Sequence, residues 1–336
     1  MDIATLGEFG LIARLTRELT THVGDDCAIL DLHSDGLLLL TCDSQVEGVH
    51  FTLQTSSPEH IGCKALAINL SDIAAMGGEP RYALISLILP TQLPLAVIEG
   101  IYAGLRQEAA AYATMIVGGN IASAGTAEQL IIDITLLGTV ERGHALTRDG
   151  AHVGDSVCVT GALGDSAAGL YTLLYPDQRY PQNAQESLCT RHRTPQPRVR
   201  EGRILSHLRS GVVTAMLDLS DGLSGDLGHL CERSKVGARI EVAHVPLSQD
   251  MRAIAVIAGR DPLLWALHGG EDYELLFTVS PGNERVVIDA VQSATGTPVT
   301  AIGKICAPDE GMKVVYPDGC ESVLEVLSWD HLRSAS

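Results

Sequence analysis

The sequence contains only four lysines and few aromatic residues, and its basic side chains are far outnumbered by acidic ones. Of 336 residues, 23 are Lys or Arg and 41 are Asp or Glu, so the formal net charge is −18. A surface this negative repels phosphodiester backbones, so we expect no nucleic-acid partner. Hydrophobic residues nevertheless make up 46% of the chain, which is enough apolar material for a folded core.

Several common catalytic motifs are also missing. None of the lysines lies in a G-x-x-x-x-G-K-[ST] segment, which excludes a P-loop nucleotide site. The sequence has no G-x-S-x-G motif and no H-R-D motif, so neither a hydrolase elbow nor a protein-kinase catalytic loop is indicated. The eight cysteines form no C-x-x-C pair, and the twelve histidines form no H-x-x-x-H pair that would indicate zinc.

Long hydrophobic runs are absent as well. The apolar run 83–89 is broken by Ser86 and is far too short to span a bilayer. The first residues show neither the basic nor the apolar region of a signal peptide. We therefore expect a soluble, cytoplasmic protein without a membrane partner, whose cysteines are mostly small buried hydrophobes.

Strands and helices alternate along the chain, which indicates an α/β (α+β) fold. In the first part the patterns predict strands over 37–41, 82–89, 115–117 and 129–140, helices over 58–76 and 95–113, and a glycine-rich loop at 118–120. A polar, glycine-containing segment, 142–154, then precedes a new strand at 156–160. We place a domain boundary there, which predicts an N-terminal domain 1–141 and a C-terminal domain 142–336.

The second domain repeats this alternation. The patterns predict strands over 213–217, 238–242 and 273–279, and helices from 165, over 198–209 and over 220–231. The segment 175–197 is polar and contains four prolines, so we interpret it as an insertion or long connection.

Asp72 is the aspartate whose position is hardest to explain by structure alone. Between residues 61 and 76 the predicted helix carries only two charged residues, Lys64 and Asp72. At helical spacing Asp72 lies on a mostly apolar face, where a carboxylate costs stability unless it is paired or bound to a metal. A buried ion pair and a metal ligand both remain possible interpretations.

A second acidic group follows the strand predicted at 213–217. Asp218 ends that strand, and Ser220 or Asp221 can cap the next helix. Alternatively, the helix N-terminus offers amide groups to a phosphate while the carboxylates hold a metal beside it. Together with Asp26, Asp43 and Asp72, these residues indicate a phosphate site that uses Mg²⁺, because this cation prefers carboxylate oxygens and substrate phosphates.

Taken in order, the motifs resemble those of one family, the thiamine-monophosphate kinases of the PurM-like, ATP-binding superfamily. The resemblance covers nearly the whole chain. It is carried by Gly7-Glu8-Phe9-x-Leu11-Ile12, Gly24-Asp25-Asp26-Cys27-Ala28, Asp43 with Gly48-Val49-His50-Phe51, Lys64-Ala65-Leu66-Ala67-x-Asn69-Leu70-Ser71-Asp72-x-Ala74-Ala75-Met76-Gly77, Ala145-Leu146-Thr147-Arg148-x-Gly150-Ala151, Thr160-Gly161 with Gly164-Asp165-Ser166-Ala167-Ala168-Gly169-Leu170, Leu219-Ser220-Asp221-Gly222-Leu223 with Asp226-Leu227, and Gly269-Gly270-Glu271-Asp272-Tyr273-Glu274-Leu275.

The resemblance implies a two-domain PurM-like architecture, with a mixed β-sheet covered by helices in each domain, and a homodimer formed through the N-terminal domains. It implies transfer of the γ-phosphoryl group of ATP to thiamine monophosphate with several Mg²⁺ ions. The roles it implies are as follows: Asp26, Thr41, Asp43, Asp72, Asn120, Asp218 and Asp221 for metal; Gly119, Asn120, Arg148 and Ser220 for nucleotide or phosphate; His50, Glu271 and Trp329 for the acceptor; and Arg148, Asp43 and Asp221 in catalysis.

Two positions depart from the family pattern. The family's Gly-Gly-Asp is here Gly118-Gly119-Asn120, and the residue before Asp43 is Cys42, a poor ligand for a hard cation. Two other hypotheses therefore stay open. One is a PurM-like phosphotransferase that acts on a different small-molecule acceptor, and the other is an ATP- or metal-binding paralog with weakened catalysis.

Overall fold

The computed structural model of the protein describes residues 10, 14, 25–33, 36–125 and 128–327. Within these residues the chain forms two separate β-sheets, one from each half of the sequence. Each sheet is mixed and packs against helices, as predicted for an α/β (α+β) protein. The boundary between residues 141 and 142 stays a prediction. Among the described helices, none is long and apolar enough to cross a membrane.

The first sheet has five strands in the order β1-β2-β5-β3-β4. Only β3 and β4 run parallel, and the other neighbours are antiparallel. The elements are β1 Ala28–Leu30, β2 Gly36–Val46, α1 Pro58–Ala75, β3 Glu79–Leu89, α2 Leu95–Ala111, β4 Met115–Ser123 and β5 Ile131–Glu141.

The second sheet has seven strands in the order β12-β11-β8-β10-β6-β9-β7, with β11 parallel to β8 and the other neighbours antiparallel. Its strands are β6 Ser156–Thr160, β7 Val213–Asp218, β8 Gly237–Glu241, β9 Leu275–Val279, β10 Val299–Cys306, β11 Met312–Val315 and β12 Glu321–Val323. The accompanying helices are α3 Asp165–Leu174, α4 Gln182–Arg193, α5 Val199–Ser206, α6 Leu223–Ser234, α7 Gln249–Ala258, α8 Pro262–His268 and α9 Glu284–Thr295.

Helix α1 connects the two halves of the molecule. Ser57 caps it by accepting the His60 N–H at 3.3 Å, and Pro58 occupies the first helical position. The helix packs on β2, β5 and α2 in the first half and on α5 and β7 in the second. It comes so close to α2 that a Cβ atom at Gly104 would lie 1.9 Å from the Glu59 carbonyl oxygen. Because α1 is buried on nearly all sides, its few charged side chains need partners inside the protein.

Several predicted boundaries were wrong. The strand predicted to end at 41 continues to Val46, so Asp43 lies inside β2. The glycine loop predicted at 118–120 is part of β4. Position 119 of this strand requires glycine, because a Cβ atom on residue 119 would lie 1.7 Å from the Ile85 carbonyl oxygen of β3. The helix predicted from 220 begins at Leu223, and the connection predicted at 175–197 contains helix α4.

A cleft of about 470 Å³ lies between α2, the segment 194–201 and residues 295 and 297. One carboxyl group that lines it should make the stability of the protein depend on pH. Burial raises the pKa of Glu108, which lines this cleft, from 4.5 to about 7. The unfolded chain therefore releases this proton at a lower pH than the folded protein, and Glu108 destabilises the fold as the pH rises from 4.5 through 7. We expect Glu108→Gln to stabilise the protein at pH 8 by about 1–3 kcal/mol, with a smaller gain at pH 5.

Urea unfolding of the wild type and the variant at both pH values measures this difference. Glu99→Gln, on the exposed side of the same helix, is the matched control and should change stability little at either pH. A gain from Glu108→Gln that is equal at pH 5 and pH 8 would contradict a buried, titrating carboxyl group.

Candidate active site

Three aspartates that are far apart in sequence meet between the two sheets. Asp26 precedes β1, Asp72 lies on α1, and Asp218 is the last residue of β7. One carboxylate oxygen from each lies within 4.8 Å of the other two. The Asp26 side chain is 1% exposed, and Asp218 is buried. Asp72, which the sequence leaves open as an ion-pair partner or a metal ligand, therefore lies beside two other carboxylates.

Two of the three carboxylates, Asp72 and Asp218, bind protons more readily than an exposed aspartate does. Burial, followed by the negative charges of Asp43, Asp218 and Asp26, raises the pKa of Asp72 well above its usual range. Burial and the charge of Asp26 likewise raise the pKa of Asp218. A divalent cation would remove this repulsion, and a donor set made only of oxygens suits a hard cation such as Mg²⁺. These residues therefore fit a magnesium site.

Two of the three carboxylates are also oriented by a neighbouring hydroxyl group. The Thr41 hydroxyl donates a hydrogen bond to Asp72, and Ser71 Oγ donates to Asp218 Oδ2 at 2.6 Å. Ser71 lies on α1, so this second bond joins the two halves of the chain. Thr41, predicted as a metal ligand, is therefore next to the cluster.

Arg148 provides the positive charge beside the cluster. Its Nη2 lies 2.6 Å from Asp26 Oδ1 and its Nε lies 3.4 Å from Asp26 Oδ2. Its backbone N–H donates to Asp25 Oδ1 at 2.9 Å, and its carbonyl oxygen accepts from Ser234 Oγ at 2.7 Å. The backbone of Arg148 is thus held by two hydrogen bonds and its guanidinium by Asp26, and 21% of the side chain remains exposed.

The turn before α6 contributes Asp218, Ser220 and Asp221. The Asp221 N–H donates to Asp226 Oδ2 at 3.1 Å. Burial, followed by the charges of Asp221 and Asp218, raises the pKa of Asp226 well above its usual range. Asp226 belongs to the family motif, but the resemblance assigns it no role. An aspartate near the N-terminus of the predicted helix that follows Asp218 is the sequence signal that could have indicated it.

A strained loop lies beside this turn. Glu271 and Tyr273 have φ values of +67° and +50°, a left-handed region that side chains other than glycine rarely adopt. Hydrogen bonds from Glu271 N–H to the Ser220 carbonyl oxygen at 2.7 Å and from Tyr273 N–H to that of Leu219 at 2.8 Å hold it there. Backbone strain of this kind is concentrated at functional sites.

Glu271 is the centre of a second group of side chains. Its carboxylate lies 2.5 Å from Lys64 Nζ and 3.3 Å from His192 Nδ1. Burial alone would raise the pKa of Glu271, but the Lys64 ammonium and nearby histidines including His50 hold it below its usual range. His50 Nδ1 accepts the Val46 N–H at 3.0 Å. The structure therefore brings the predicted acceptor residues His50 and Glu271 into one region and adds Lys64 and His192.

Two predicted positions do not lie in either group. Gly119 and Asn120 are exposed on β4, an edge strand of the first sheet, opposite Ile85 and Ser86. Their roles toward nucleotide and metal stay predictions. Trp329, predicted to contact the acceptor, lies outside the described residues.

Comparison with known proteins gives matches along nearly the whole chain. The sequence model of the AIR synthase related protein N-terminal domain matches residues 24–140, and that of the AIR synthase related protein C-terminal domain matches residues 152–315. The thiamine-monophosphate kinase of Bacillus subtilis is 36% identical, with 98% of this chain and 100% of the relative covered. That of Aquifex aeolicus is 39% identical, with the same coverage.

Solved structures give the same result. The structure described as AaThiL complexed with AMPPCP and TMP has a TM-score of 0.85 at 37% identity, and covers 98% of this chain and 99% of that one. The hydrogenase maturation protein HypE, at 20% identity and a TM-score of 0.72 over 93% of this chain and 96% of that one, shares the fold alone. The two-domain PurM-like fold is thereby confirmed, and the chain belongs to the thiamine-monophosphate kinase family.

Proposed function

We propose that the protein transfers the γ-phosphoryl group of ATP to thiamine monophosphate, which gives thiamine diphosphate and ADP. The observation that carries this proposal is the convergence of Asp26, Asp72 and Asp218 beside Arg148. Such a cluster has little use in a protein that handles neutral ligands, since it repels itself. It becomes useful when a cation and phosphate groups bind together. The full-length similarity to a relative solved with AMPPCP and TMP supports both substrates.

Magnesium would be held by Asp26, Asp72 and Asp218, and the further ligands we propose are Thr41, Asp43, Asp221 and Asn120. The oxygen donors and their close spacing fit this cation. When bound, magnesium would neutralise phosphate charge and help to hold donor and acceptor in line.

The chain's own residues would position and neutralise the reactants. Arg148 would lower the repulsion between the two anionic substrates, and Gly119 and Ser220 would contact the nucleotide. His50, Glu271 and Trp329 would bind the acceptor. The attacking group is a phosphate oxygen that is already anionic, so the reaction needs no general base, and catalysis depends on positioning and charge. We assign Asp43 and Asp221 to the same charge-balancing role.

Incubation of the purified protein with ATP, Mg²⁺ and thiamine monophosphate, followed by chromatography of thiamine diphosphate, tests the proposal. Product formation that stops when EDTA is added supports it. Turnover of other phosphorylated acceptors, with none of thiamine monophosphate, would favour the phosphotransferase with a different acceptor. Retained ATP binding without turnover of any acceptor would favour a paralog with weakened catalysis.

Asn120 gives a prediction specific to this chain. If Asn120 is a metal ligand, Asn120→Asp adds a charged oxygen, so the Mg²⁺ concentration for half-maximal activity should fall about 3- to 10-fold. A magnesium titration of initial rates measures this shift. Ser123→Asp, an exposed change on the same strand, is the control. Identical titrations for wild type and Asn120→Asp would contradict the placement of Asn120 at the metal.

We also propose a cytoplasmic homodimer, with domains at 1–141 and 142–336. Strands β3 and β4 expose an apolar row that a second copy of the N-terminal domain could cover. Its members are Tyr82, Leu84, Met115, Val117 and Ile121, each between 42% and 66% exposed. Exposed apolar patches of this kind mark interaction sites. Light scattering on the purified protein tests the proposal, and a mass equal to one chain would contradict it.

A further inference from the structure

The carboxylate of Glu271 is held by buried side chains from two different parts of the chain. Lys64 Nζ, on α1, lies 2.5 Å from one oxygen, and His192 Nδ1, on α4, lies 3.3 Å from the other. Lys64 and His192 are only 3% and 4% exposed, whereas 24% of the Glu271 side chain is exposed. Both oxygens thus have protein partners, while part of the side chain remains accessible from the site.

Lys64 is an expensive residue to bury. An ammonium ion removed from water costs several kcal/mol, and a hydrophobic residue of similar size usually stabilises a core at least as well. Among the described residues, Glu271 is the only carboxylate that forms an ion pair with Lys64. A structural role alone therefore explains Lys64 poorly, and its charge is explained if Glu271 must stay ionised at a fixed place.

His192 contributes direction instead of charge. Burial, helped by the positive charge of Lys64, lowers the pKa of His192 to about 4, so its ring is neutral near pH 7. An ionised carboxylate can only accept hydrogen bonds, so His192 supports Glu271 in the tautomer that carries its proton on Nδ1, 3.3 Å from the carboxylate. Ser166 Oγ lies 3.1 Å from the same nitrogen. The contacts with Ser166 and Glu271, together with burial of the ring, restrict where Nδ1 can lie.

The backbone at Glu271 adds a reason why such support is needed. Glu271 has a left-handed φ of +67°, and its N–H is bound to the Ser220 carbonyl oxygen in the turn beside the aspartate cluster. A small shift of this loop would therefore move both the Glu271 carboxylate and that turn. Support from α1 and α4 holds the carboxylate at a fixed distance from the aspartates.

We propose that Lys64 and His192 are positioning residues. They lie on opposite sides of the proposed domain boundary, and together they hold the Glu271 carboxylate in place to bind the acceptor. This inference rests on the proposed function, because it takes Glu271 as an acceptor-binding residue. It also gives a role to helix α4, which lies in the segment that was interpreted from the sequence as a connection. Positioning residues of this kind affect the acceptor more than the nucleotide.

Steady-state kinetics of Lys64→Met test the lysine. We expect KM for thiamine monophosphate to rise about 30-fold, because truncation of one partner leaves a buried charge unpaired, while KM for ATP changes less than about 2-fold. In a Glu271→Gln background the same substitution should change KM by less than about 2-fold, because the two residues act as a unit. The double variant also removes both buried charges, so it remains usable if Lys64→Met alone folds poorly.

His192 is tested by a conservative pair of variants. His192→Leu should raise KM for thiamine monophosphate about 10-fold, since it removes the hydrogen-bond donor. His192→Asn should restore most of the loss, because its amide nitrogen can occupy the place of Nδ1. Lys304→Met and His152→Leu, at exposed positions, are matched controls for the change of side-chain type.

The outcomes separate this inference from the proposed function. Suppose that the wild type phosphorylates thiamine monophosphate, but the variants change KM for both substrates equally or change only thermal stability. That result would overturn the positioning role and leave the proposed function intact. Wild-type turnover of a different acceptor would overturn the proposed function, and the same variants measured with that acceptor would then decide the role of Lys64 and His192. No turnover of any acceptor by the wild type would overturn both.

Discussion

Replacement of Asp72 by asparagine is expected to remove phosphoryl transfer and, at the same time, to make the metal-free protein more stable. The variant keeps the size and shape of the side chain but removes one of three carboxylates whose oxygens lie within 4.8 Å of one another. We expect kcat to fall about 1,000-fold, since the metal supplies several kcal/mol of charge stabilisation and each 1.4 kcal/mol is worth tenfold in rate.

The stability gain has a separate cause. In the absence of a cation, folding must bring Asp72 into a buried site next to Asp26, Asp43 and Asp218, which is unfavourable for a charged group. A neutral amide avoids most of this cost and can still accept the hydrogen bond from Thr41. We expect a gain of about 1–3 kcal/mol in EDTA, of the size found when a buried charge is replaced by a neutral group.

Thermal or urea unfolding with EDTA and with excess Mg²⁺ measures both parts of this prediction. The wild type should gain stability from Mg²⁺, and Asp72→Asn should gain much less, because only a folded site binds the ion. Asp309→Asn, at an exposed position, is the control and should change neither activity nor stability. An active Asp72→Asn, or one that is less stable in EDTA, would contradict a metal role for this residue.

The sequence predicted the parts of the fold that depend on local rules. Helix α1 begins at Ser57-Pro58 as predicted, because capping by a serine and the fixed φ of proline act within one turn. Strand β6 has the predicted bounds, since a short apolar run between polar segments has few other structures available. The charge of Asp72 on an apolar helix face indicated a carboxylate that needs a partner, and the structure places Asp72 beside Asp26 and Asp218.

What the sequence did not predict depends on contacts between distant segments. Gly118 and Gly119 indicated a loop, but the approach of β3 requires glycine within a strand at this point. Helix α4 was interpreted as a connection because its composition is polar. Its few buried residues, among them His192, pack against other helices. The pair of Lys64 and Glu271 is separated by most of the chain, and only the packing of α1 between the two halves brings them together.

The prediction of the site has two sources, the chemistry of the residue types and the family resemblance. The residue types indicated oxygen ligands for a cation, and the structure brings Asp26, Asp72 and Asp218 together as that requires. The individual roles of Asn120, Gly119 and Trp329 came only from the family resemblance. They depend on bound ligands and stay predictions.

Arg148→Met is expected to lose activity as well, but with the opposite effect on stability. The guanidinium pairs with Asp26, whose side chain is 1% exposed, through Nη2 at 2.6 Å and Nε at 3.4 Å. Without it, a buried carboxylate beside two others has no counterion. We expect the metal-free variant to lose about 3–5 kcal/mol of stability, and kcat to fall about 100- to 1,000-fold, because a preorganised charge is missing during phosphoryl transfer.

Magnesium should restore more stability to Arg148→Met than to the wild type, since the cation then takes over the neutralisation of Asp26. Arg148→Lys should be intermediate, because it keeps the charge but cannot form both contacts. Arg285→Met, whose side chain is 83% exposed, controls for the loss of an arginine. Equal stabilisation of Arg148→Met and wild type by Mg²⁺ would contradict this account.

The two variants together exclude a simpler explanation of lost activity. If substitutions in this region merely disturbed the fold, Asp72→Asn and Arg148→Met would both destabilise the metal-free protein. A site built for cations and phosphates predicts opposite signs, because one change removes excess negative charge and the other removes the charge that balances it. Since added Mg²⁺ should reduce the difference in stability between the two variants, unfolding in EDTA and in Mg²⁺ decides between these explanations independently of the acceptor.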